Sequence, residues 1–371
     1  MTSDHSFADR MKNESRRNIA AYSFMALIFF FQTLISYIIQ VSEMDETYGW
    51  GRAVRSASEA PLIGITESAL GRGSGSAVMI FAAAGLAALE FGYLHRRPEA
   101  DFYHGLPETR REIFTYKFLT GILTVMIPYL LIMAIASAYG IANGVPAGKM
   151  AGIVLPSAAL NFLYFTLQFA LFVLAMILTG KIFVGFLGMA VLDAFFPLAV
   201  SAAEAYGSVL RDQRVWKNIS EVVMRLSPTA AFLKVLPRTN GGCDGPACSA
   251  RFLPLLMAAV LLAFYLWAAV KLYEKRPLEA AGNAMAFEKS KAFIRIPVVI
   301  LTGLMFGLMF GSGMGTGMGW TLFGITAGTV IAHCIMEIIY HFDFKALFSD
   351  RRQLFFCLAA GWIVAFVSGG F

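Results

Sequence analysis

Charged residues, cysteines and catalytic sequence motifs are all scarce in this chain of 371 residues. Only 15% of the residues are charged, against roughly 25% in an ordinary soluble domain, while 58% are hydrophobic. So few charges cannot cover a soluble protein of this length, so the composition predicts an integral membrane protein. The net charge is +6, but no basic stripe is interleaved with exposed aromatics, which argues against nucleic-acid binding.

No motif for nucleotide binding or hydrolysis is present. The stretch GSGMGTGMG at 311–319 lacks the Walker order of Lys followed by Ser or Thr, so any ATP must be bound by another chain. His333, Glu337 and His341 recur every four residues on one helix face, but HExxH is absent and a polar stripe at the membrane edge explains them equally well. We therefore predict that the chain alone is no enzyme and holds no metal or other cofactor.

The four cysteines fall into two pairs by location. Cys243 and Cys248 lie in GGCDGPACSA, a Gly- and Pro-rich part of a loop predicted to be outside the cell, where a disulfide would persist. A disulfide and two free thiols are equally compatible with that sequence. Cys334 and Cys357 lie in apolar segments, where cysteine usually serves as a small hydrophobic residue.

Long apolar runs make up most of the chain. A hydrocarbon core of about 30 Å needs about 20 apolar residues per helix, and nine segments approach or reach that length. The predicted spans are 19–41, 74–95, 118–140, 153–179, 183–205, 252–272, 296–313, 318–340 and 354–370. The predicted fold class is thus an all-α polytopic membrane protein of about nine helices. Its end directly after the ninth segment suggests a further carboxy-terminal region.

The distribution of Lys and Arg predicts a cytoplasmic amino terminus, because the short basic loops then fall inside. The apolar run from Ile19 is too long for a signal-peptide core. Residues 1–17 form a predicted interfacial segment, and the outer loop 206–251 contains a predicted amphipathic helix closed by Pro228. The apolar face of that helix consists of Val215, Trp216, Ile219, Val222, Val223 and Leu226.

Glycines in and after the seventh span repeat at four-residue spacing. They are Gly303, Gly307, Gly311, Gly315 and Gly319. This spacing predicts a smooth helix face for close packing against a neighbouring helix.

A short internal similarity links the second and eighth spans. ALEFGYLHRR and IMEIIYHFDF each place a Glu three residues before a Tyr, and an arginine pair follows each of them, at 110–111 and 351–352. Spans seven to nine can therefore be interpreted as a repeat of spans one to three, although so short a match also arises by chance.

Three acidic residues lie within or at the ends of predicted spans. Asp193 is near the middle of the fifth span, where a charge costs about 2.5–3.5 kcal/mol, so it should face protein or water. It either lines a hydrated substrate or cation path together with the carbonyl freed by Pro197, or stabilises the proline kink. Glu90 and Glu337 lie near cytoplasmic ends and favour a structural role, reaching headgroups or neighbouring Arg and His residues.

A strongly charged island, HRRPEADFYHGLPETRREIFTYK, separates the second and third spans at 95–117. Pro107 can open a helix with Glu108 in its first turn, continued by residues 109–117. The island therefore predicts a short amphipathic helix across the cytoplasmic surface, or, more simply, a solvated positive-inside loop.

The sequence DFYHGLPETRREIFTYKFL, at 101–119, resembles the coupling segment of type 2, exporter-like ABC transporter permeases. The resemblance implies a six-span permease core at 18–275, a coupling helix at about 101–117 and an outer amphipathic segment at about 206–251. RPLEAAGNAMAF and HFDFKALFSDRRQLF are further similar to the longer permeases of Gram-positive bacteria. Residues 276–371 then form a cytoplasmic linker and three further spans.

This resemblance implies a plasma-membrane subunit that exports a hydrophobic or amphipathic substrate, such as a peptide antibiotic, a lipid or a drug. Its partners would be ATPase subunits that bind ATP and Mg, a second permease in a homo- or heterodimer, and membrane lipids. A sensor or scaffold that signals through the same segment without transport remains the alternative. The implied ATPase-contact residues are Asp101, Phe102, Tyr103, His104, Leu106, Pro107, Arg110 and Arg111.

Overall fold

The computed structural model of the chain describes residues 7–48, 60–71, 75–207, 213–235, 249–313, 317–342, 347 and 350–367. These ranges are helical apart from turns and one isolated antiparallel bridge between Thr179 and Met285. The first eight helices are α1 (Phe7–Arg17), α2 (Ile19–Phe29), α3 (Ser36–Tyr48), α4 (Ala60–Leu70), α5 (Ser76–Phe91), α6 (Arg97–His104), α7 (Arg110–Ala142) and α8 (Ala147–Leu178). The remaining helices are α9 (Ile182–Tyr206), α10 (Gln213–Met224), α11 (Pro228–Val235), α12 (Ser249–Lys275), α13 (Glu288–Gly313), α14 (Met318–His341) and α15 (Arg351–Val367).

Eight helical stretches of the described chain are long and apolar enough to cross a membrane. They are Ile19–Glu43, Ser76–His95, Arg110–Ala142, Ala147–Leu178, Ile182–Tyr206, Leu253–Lys275, Ser290–Gly313 and Met318–His341. This confirms a polytopic, all-α membrane protein. The ninth predicted span coincides with α15, whose 17 described residues are fewer than the roughly 20 that a bilayer core requires. Residues 368–370 of that prediction lie outside the described part of the chain.

Two short helices occupy the described part of the loop 206–251, which is predicted to lie outside the cell. The amphipathic helix predicted there is present as α10, and the predicted interfacial segment near the amino terminus contains α1. Pro228 does not merely close α10 but stands at the first position of α11, where its missing N–H has no intrahelical role. Cys243 and Cys248, and with them the predicted disulfide, lie outside the described residues.

The helix predicted from Pro107 to residue 117 is wrong in its boundaries. A separate short helix does follow the second span, but it is α6, with Pro98 in its first turn. Residues 105–109 form the connection, and residues 110–117 are the first turns of the long helix α7.

The start of α7 is fixed by a capping box that outweighs the proline signal. The Glu112 N–H donates to the Thr109 hydroxyl at 3.3 Å, while the Glu112 carboxylate accepts from the Thr109 N–H at 3.0 Å. Two otherwise unpaired donors at the helix start are satisfied in this way. The charged start of α7 is therefore continuous with the third membrane helix.

The chain divides into two compact units. One comprises residues 1–91, 107–170 and 232–270, and the other comprises 92–106, 171–231 and 271–371. In the first unit, α2 and α5 pack on α7. Tyr129 of α7 lies edge-on against Phe29 at 5.4 Å between ring centroids, and its hydroxyl accepts from the Asn161 amide at 2.7 Å.

The second unit is built around the close pair α13 and α14. The glycine face predicted on the seventh span is confirmed at Gly303 and Gly307, which contact α14. It does not extend to Gly319, which belongs to α14 and has nothing within 4 Å of a Cβ, and Gly315 lies outside the described residues. The partner face carries Gly324 and Gly328, which approach Phe306 of α13. Small residues on both helices let the two backbones approach closely, as is typical of membrane helix pairs.

We expect Gly324→Ala to destabilise this helix pair. A Cβ at Gly324 would stand 2.6 Å from the Phe306 carbonyl oxygen and 2.9 Å from the Gly307 Cα, so backbone must move. Overpacking of this kind costs about 1–3 kcal/mol, which should lower the thermal unfolding midpoint of the purified chain. Gly319→Ala is the matched control, because nothing lies within 4 Å of a Cβ there. Equal midpoints for both variants would contradict the close packing.

Candidate coupling site

The predicted ATPase-contact residues of α6 differ in exposure. Asp101 and Phe102 are exposed, Phe102 by 65% of its surface. Tyr103 is buried instead, with its ring 4.5 Å from that of Tyr93. His104 is half-buried, and its Nδ1 lies 2.8 Å from the Ala100 carbonyl. The helix therefore presents one acidic and one aromatic side chain outward and is anchored by Tyr103.

The remaining predicted contact residues belong to the turn after α6 and to the start of α7. Pro107 and Arg111 are exposed, whereas Leu106 and Arg110 are half-buried. Glu108 in the same stretch pairs with Arg10 of α1 at 2.5 Å. The amino-terminal helix is thereby tied to the beginning of α7.

Arg276, just after α12, binds the ends of two other helices. Its side chain is 3% exposed, and it donates to the Leu94 carbonyl at 2.9 Å. It also donates to the carbonyls of Met176, at 3.1 Å, and Ile177, in the last turn of α8. Such carbonyls lack intrahelical partners, and the helix dipole favours a cation beside them. Burial lowers the pKa of Arg276 to about 10, which leaves the guanidinium charged at neutral pH.

The segment 276–286, which follows Arg276 along the chain, binds the connection between α8 and α9. The Ala286 N–H donates to the Leu178 carbonyl at 2.8 Å, and the Gly282 N–H donates to the Gly180 carbonyl at 2.8 Å. Only glycine fits at 180, because a Cβ there would lie 2.2 Å from the Ala280 carbonyl oxygen.

Helix α6 is joined to the same segment. The Arg97 Nε donates to the Ala281 carbonyl at 3.1 Å, and the Tyr93 and Tyr273 hydroxyls are hydrogen-bonded to each other. Three connections, those following the second, fourth and sixth spans, thus meet in one hydrogen-bonded cluster within the second unit. We call this group, residues 92–106, 176–181 and 273–286, the connector cluster.

Glu90 is buried rather than turned to headgroups. Its carboxylate is 1% exposed, accepts a hydrogen bond from the Asn18 amide and lies 3.8 Å from the Lys117 ammonium. Lys117, itself 2% exposed, also pairs with Glu14 of α1 at 3.4 Å. The group links α1, α5 and α7 through one buried cation between two carboxylates.

Glu337 lies in a second buried ion cluster, in the other unit. It is fully buried and binds Arg295 of α13, and Arg295 also donates to Asp350 at 2.6 Å. His341 lies 3.3 Å from the Glu337 carboxylate, as the four-residue spacing predicts, whereas His333 is 3.7 Å from it. Because Arg295 already binds the Glu337 carboxylate, these residues form a buried ion cluster that joins α13 to α14. No group of His, Cys, Asp and Glu in the described residues is arranged to hold a metal ion.

Asp193 accepts hydrogen bonds from the start of α11. The Ser227 hydroxyl donates to it at 3.0 Å and the Thr229 N–H at 3.3 Å. A carboxylate beside the first N–H groups of a helix is favoured by the helix dipole. Asp193 therefore joins α11 to the middle of α9, a use that the sequence did not predict.

Several residues that hold these sites together were missed by sequence reasoning. Arg295 and Arg276 looked like ordinary basic residues at span ends, yet each is at most 4% exposed. Asn161, which pairs with Tyr129, gave a clearer signal as an amide in the middle of an apolar span.

An apolar cleft of about 320 Å³ lies between α9 and α13 in the second unit. Its lining includes Ala194, Leu198 and Met305, and the hydroxyl of Thr302, its one polar member, donates to the Val298 carbonyl. The lining of the cleft is therefore suited to an apolar group.

Comparison with known proteins identifies no relative: no protein-family model, curated protein or solved structure matches the chain.

Proposed function

We propose that this chain is the membrane permease subunit of an ABC transporter, which couples ATP hydrolysis by separate ATPase subunits to export of a hydrophobic or amphipathic substrate. The observation that supports the proposal is α6, a helix that follows the second span, exposes Asp101 and Phe102 and is hydrogen-bonded to the rest of the connector cluster. Asp101 and Phe102 point away from the unit, while Tyr103 and Arg97 fasten the helix to it.

The connector cluster supports a lever mechanism. Force applied at Phe102 reaches Tyr103, whose ring packs on Tyr93, and then passes to Tyr273 by the hydroxyl hydrogen bond. Tyr273 lies one turn before Arg276, which binds the Leu94 carbonyl in the turn that follows α5 and the carbonyls at the end of α8. Closure of two ATPase subunits would thus move several membrane helices together, which is how rigid elements transmit a switch. The apolar cleft and the partly buried start of α11 are compatible with an amphipathic substrate.

The decisive experiment purifies the tagged full-length chain from its native membranes and measures the ATP turnover of the ATPase that accompanies it. We expect Phe102→Ala and the double change Arg110→Ala with Arg111→Ala each to lower turnover by roughly tenfold or more, since aromatic and Arg anchors dominate interface energies. Lys271→Ala is the matched control, because Lys271 is an exposed basic residue near the end of the sixth span.

Two outcomes would contradict this proposal. If no Walker-type ATPase accompanies the chain, the transporter assignment fails. If one does and turnover survives all three substitutions, α6 and the start of α7 are not the lever. Where an ATPase does accompany the chain, a measurement of substrate export in proteoliposomes distinguishes a transporter from a sensor. A sensor would hydrolyse ATP with its partner and move no substrate.

A further inference from the structure

The segment before α15 repeats the sequence of the segment before α7. Leu106 and Leu347 each stand four residues before an arginine pair, and each pair is followed by Glu or Gln, then Ile or Leu, then Phe. The shared pattern is L-x-x-x-R-R-[EQ]-[IL]-F, and an Asp-Phe dipeptide precedes it in both places. This is a longer match than the Glu and Tyr similarity of the preceding spans, and it falls on the residues assigned to the ATPase contact.

The two helix starts are also built alike. A polar residue precedes each pair, Thr109 before α7 and Asp350 before α15. Gln353 donates through its N–H to the Asp350 carbonyl at 3.0 Å and through Nε2 to the Asp350 carboxylate at 3.3 Å. Glu112 bonds Thr109 from the corresponding position.

The same pattern positions are buried in both helices. Ile113 is 1% exposed and Leu354 is 7% exposed, while Arg111, Arg351 and Arg352 are exposed. Each helix start therefore fixes itself by an apolar side chain and directs arginine away from its unit.

A buried glutamate supports each helix start. Glu90 is linked to α7 through Lys117. Glu337 is linked to the start of α15 through Arg295, which binds Asp350 and Gln353. In both units the acid stands in the preceding membrane-spanning helix and is linked to the later helix through a buried cation, so a force on the helix start would be carried inward.

One difference strengthens the second segment as a contact surface. Phe355 is 68% exposed, whereas its counterpart Phe114 is 3% exposed. Phe355 follows Arg351 by four residues, so the two lie on one face of α15. Arginine and aromatic side chains are enriched in protein-binding surfaces and their hot spots.

We propose that Arg351, Arg352 and Phe355 form a second docking surface for the partner ATPase, so that one chain engages the ATPase at two places. The proposal rests on the proposed function. It gives the last three helices a role, because ATPase movement would act on α14 and α15 as well as on the six-helix core.

The test compares two double variants of the full-length complex: Arg110→Ala with Arg111→Ala, and Arg351→Ala with Arg352→Ala. Coupled ATP turnover should fall by at least about fivefold for the second pair, beside the roughly tenfold fall expected for the first, with the Lys271→Ala control unchanged. Benzoylphenylalanine introduced at Phe355 should crosslink to the ATPase on irradiation, a readout that does not depend on how the arginine variants fold.

The outcomes separate the two proposals. A loss with the first pair only, together with crosslinks from position 355 only to lipid, overturns the second docking surface and assigns the arginines to headgroups. No effect of either pair overturns the second docking surface and the contact at the start of α7, while the absence of an accompanying ATPase overturns the proposed function itself. A fall in turnover with both pairs and a crosslink to the ATPase supports both.

Discussion

Replacing Arg295 with methionine is expected to destabilise the chain by about 3–5 kcal/mol, because it leaves two carboxylates without their buried cation. Arg295 is 4% exposed and binds Glu337, which is fully buried, together with Asp350. The free-energy cost of burying the Glu337 carboxylate is offset only while the Arg295 guanidinium is paired with it. The loss should appear as a lowered thermal unfolding midpoint of the purified full-length chain, followed by tryptophan fluorescence.

Trp362 is a suitable reporter, because its indole N–H donates to Thr326 at 3.1 Å and so joins α15 to α14. The double variant Arg295→Met with Glu337→Leu should recover much of the lost stability, since removing both charges removes the uncompensated one. Lys271→Met is the matched control: its pair with Glu274 is exposed and should contribute at most about 1 kcal/mol.

Two results would contradict the account. If Arg295→Met is as mild as Lys271→Met, the ion cluster does not hold α13, α14 and α15 together. If the double variant is no better than the single one, the cost lies in lost packing rather than in a stranded charge.

The polytopic helical architecture and the amphipathic helix α10 were predictable from sequence because they depend on local patterns. Apolar length defines a span, and a 3.6-residue period defines α10 whatever surrounds it. The glycine spacing of α13 also predicted close packing, although nothing in the sequence indicated that Gly324 and Gly328 of α14 form the matching face. The count of nine spans exceeded the eight that the described chain shows because α15 has only 17 described residues.

Helix boundaries in the charged island were mispredicted for an energetic reason. Pro107 and Thr109 both suit a helix start, and only the reciprocal hydrogen bonds of Thr109 with Glu112 decide between them. Sequence alone also could not show that Tyr103 is buried while Phe102 is exposed, since that depends on Tyr93 lying 4.5 Å away. The assignment of these residues to an ATPase contact therefore stays a prediction, and only the fold divides them into exposed and anchoring side chains.

The buried arginines were the most important residues that the sequence analysis did not identify. Positive-inside reasoning assigns every basic residue at a span end to solvent or headgroups, and Arg276 and Arg295 have no local mark that distinguishes them. Their partners are distant in sequence: the Leu94 carbonyl lies 182 positions from Arg276, and Glu337 lies 42 positions from Arg295. Such residues become visible only when the helix ends are placed together.

Arg276→Met should uncouple the connector cluster more completely than any surface change. Three helix-end carbonyls, of Leu94, Met176 and Ile177, would lose a charged donor in a buried place. Hydrogen bonds to charged groups are worth about 1.5–3 kcal/mol each, so amide exchange at 92–106 and 178–182 should accelerate roughly 100-fold or more. Arg276→Lys should recover only part of this protection, because one ammonium cannot reproduce the fork of the guanidinium.

Lys275→Met is the matched control, since Lys275 is the adjacent basic residue and is exposed. ATP turnover supplies the readout that distinguishes a positioning role from simple stability. If the proposed function holds and Arg276 transmits force between helix ends, the partner ATPase should still accompany the Arg276→Met chain, because Asp101 and Phe102 remain on the surface. Substrate export should then fall far more than ATP turnover. Export and turnover that fall together would show that the arginine maintains the fold of α6 and carries no force.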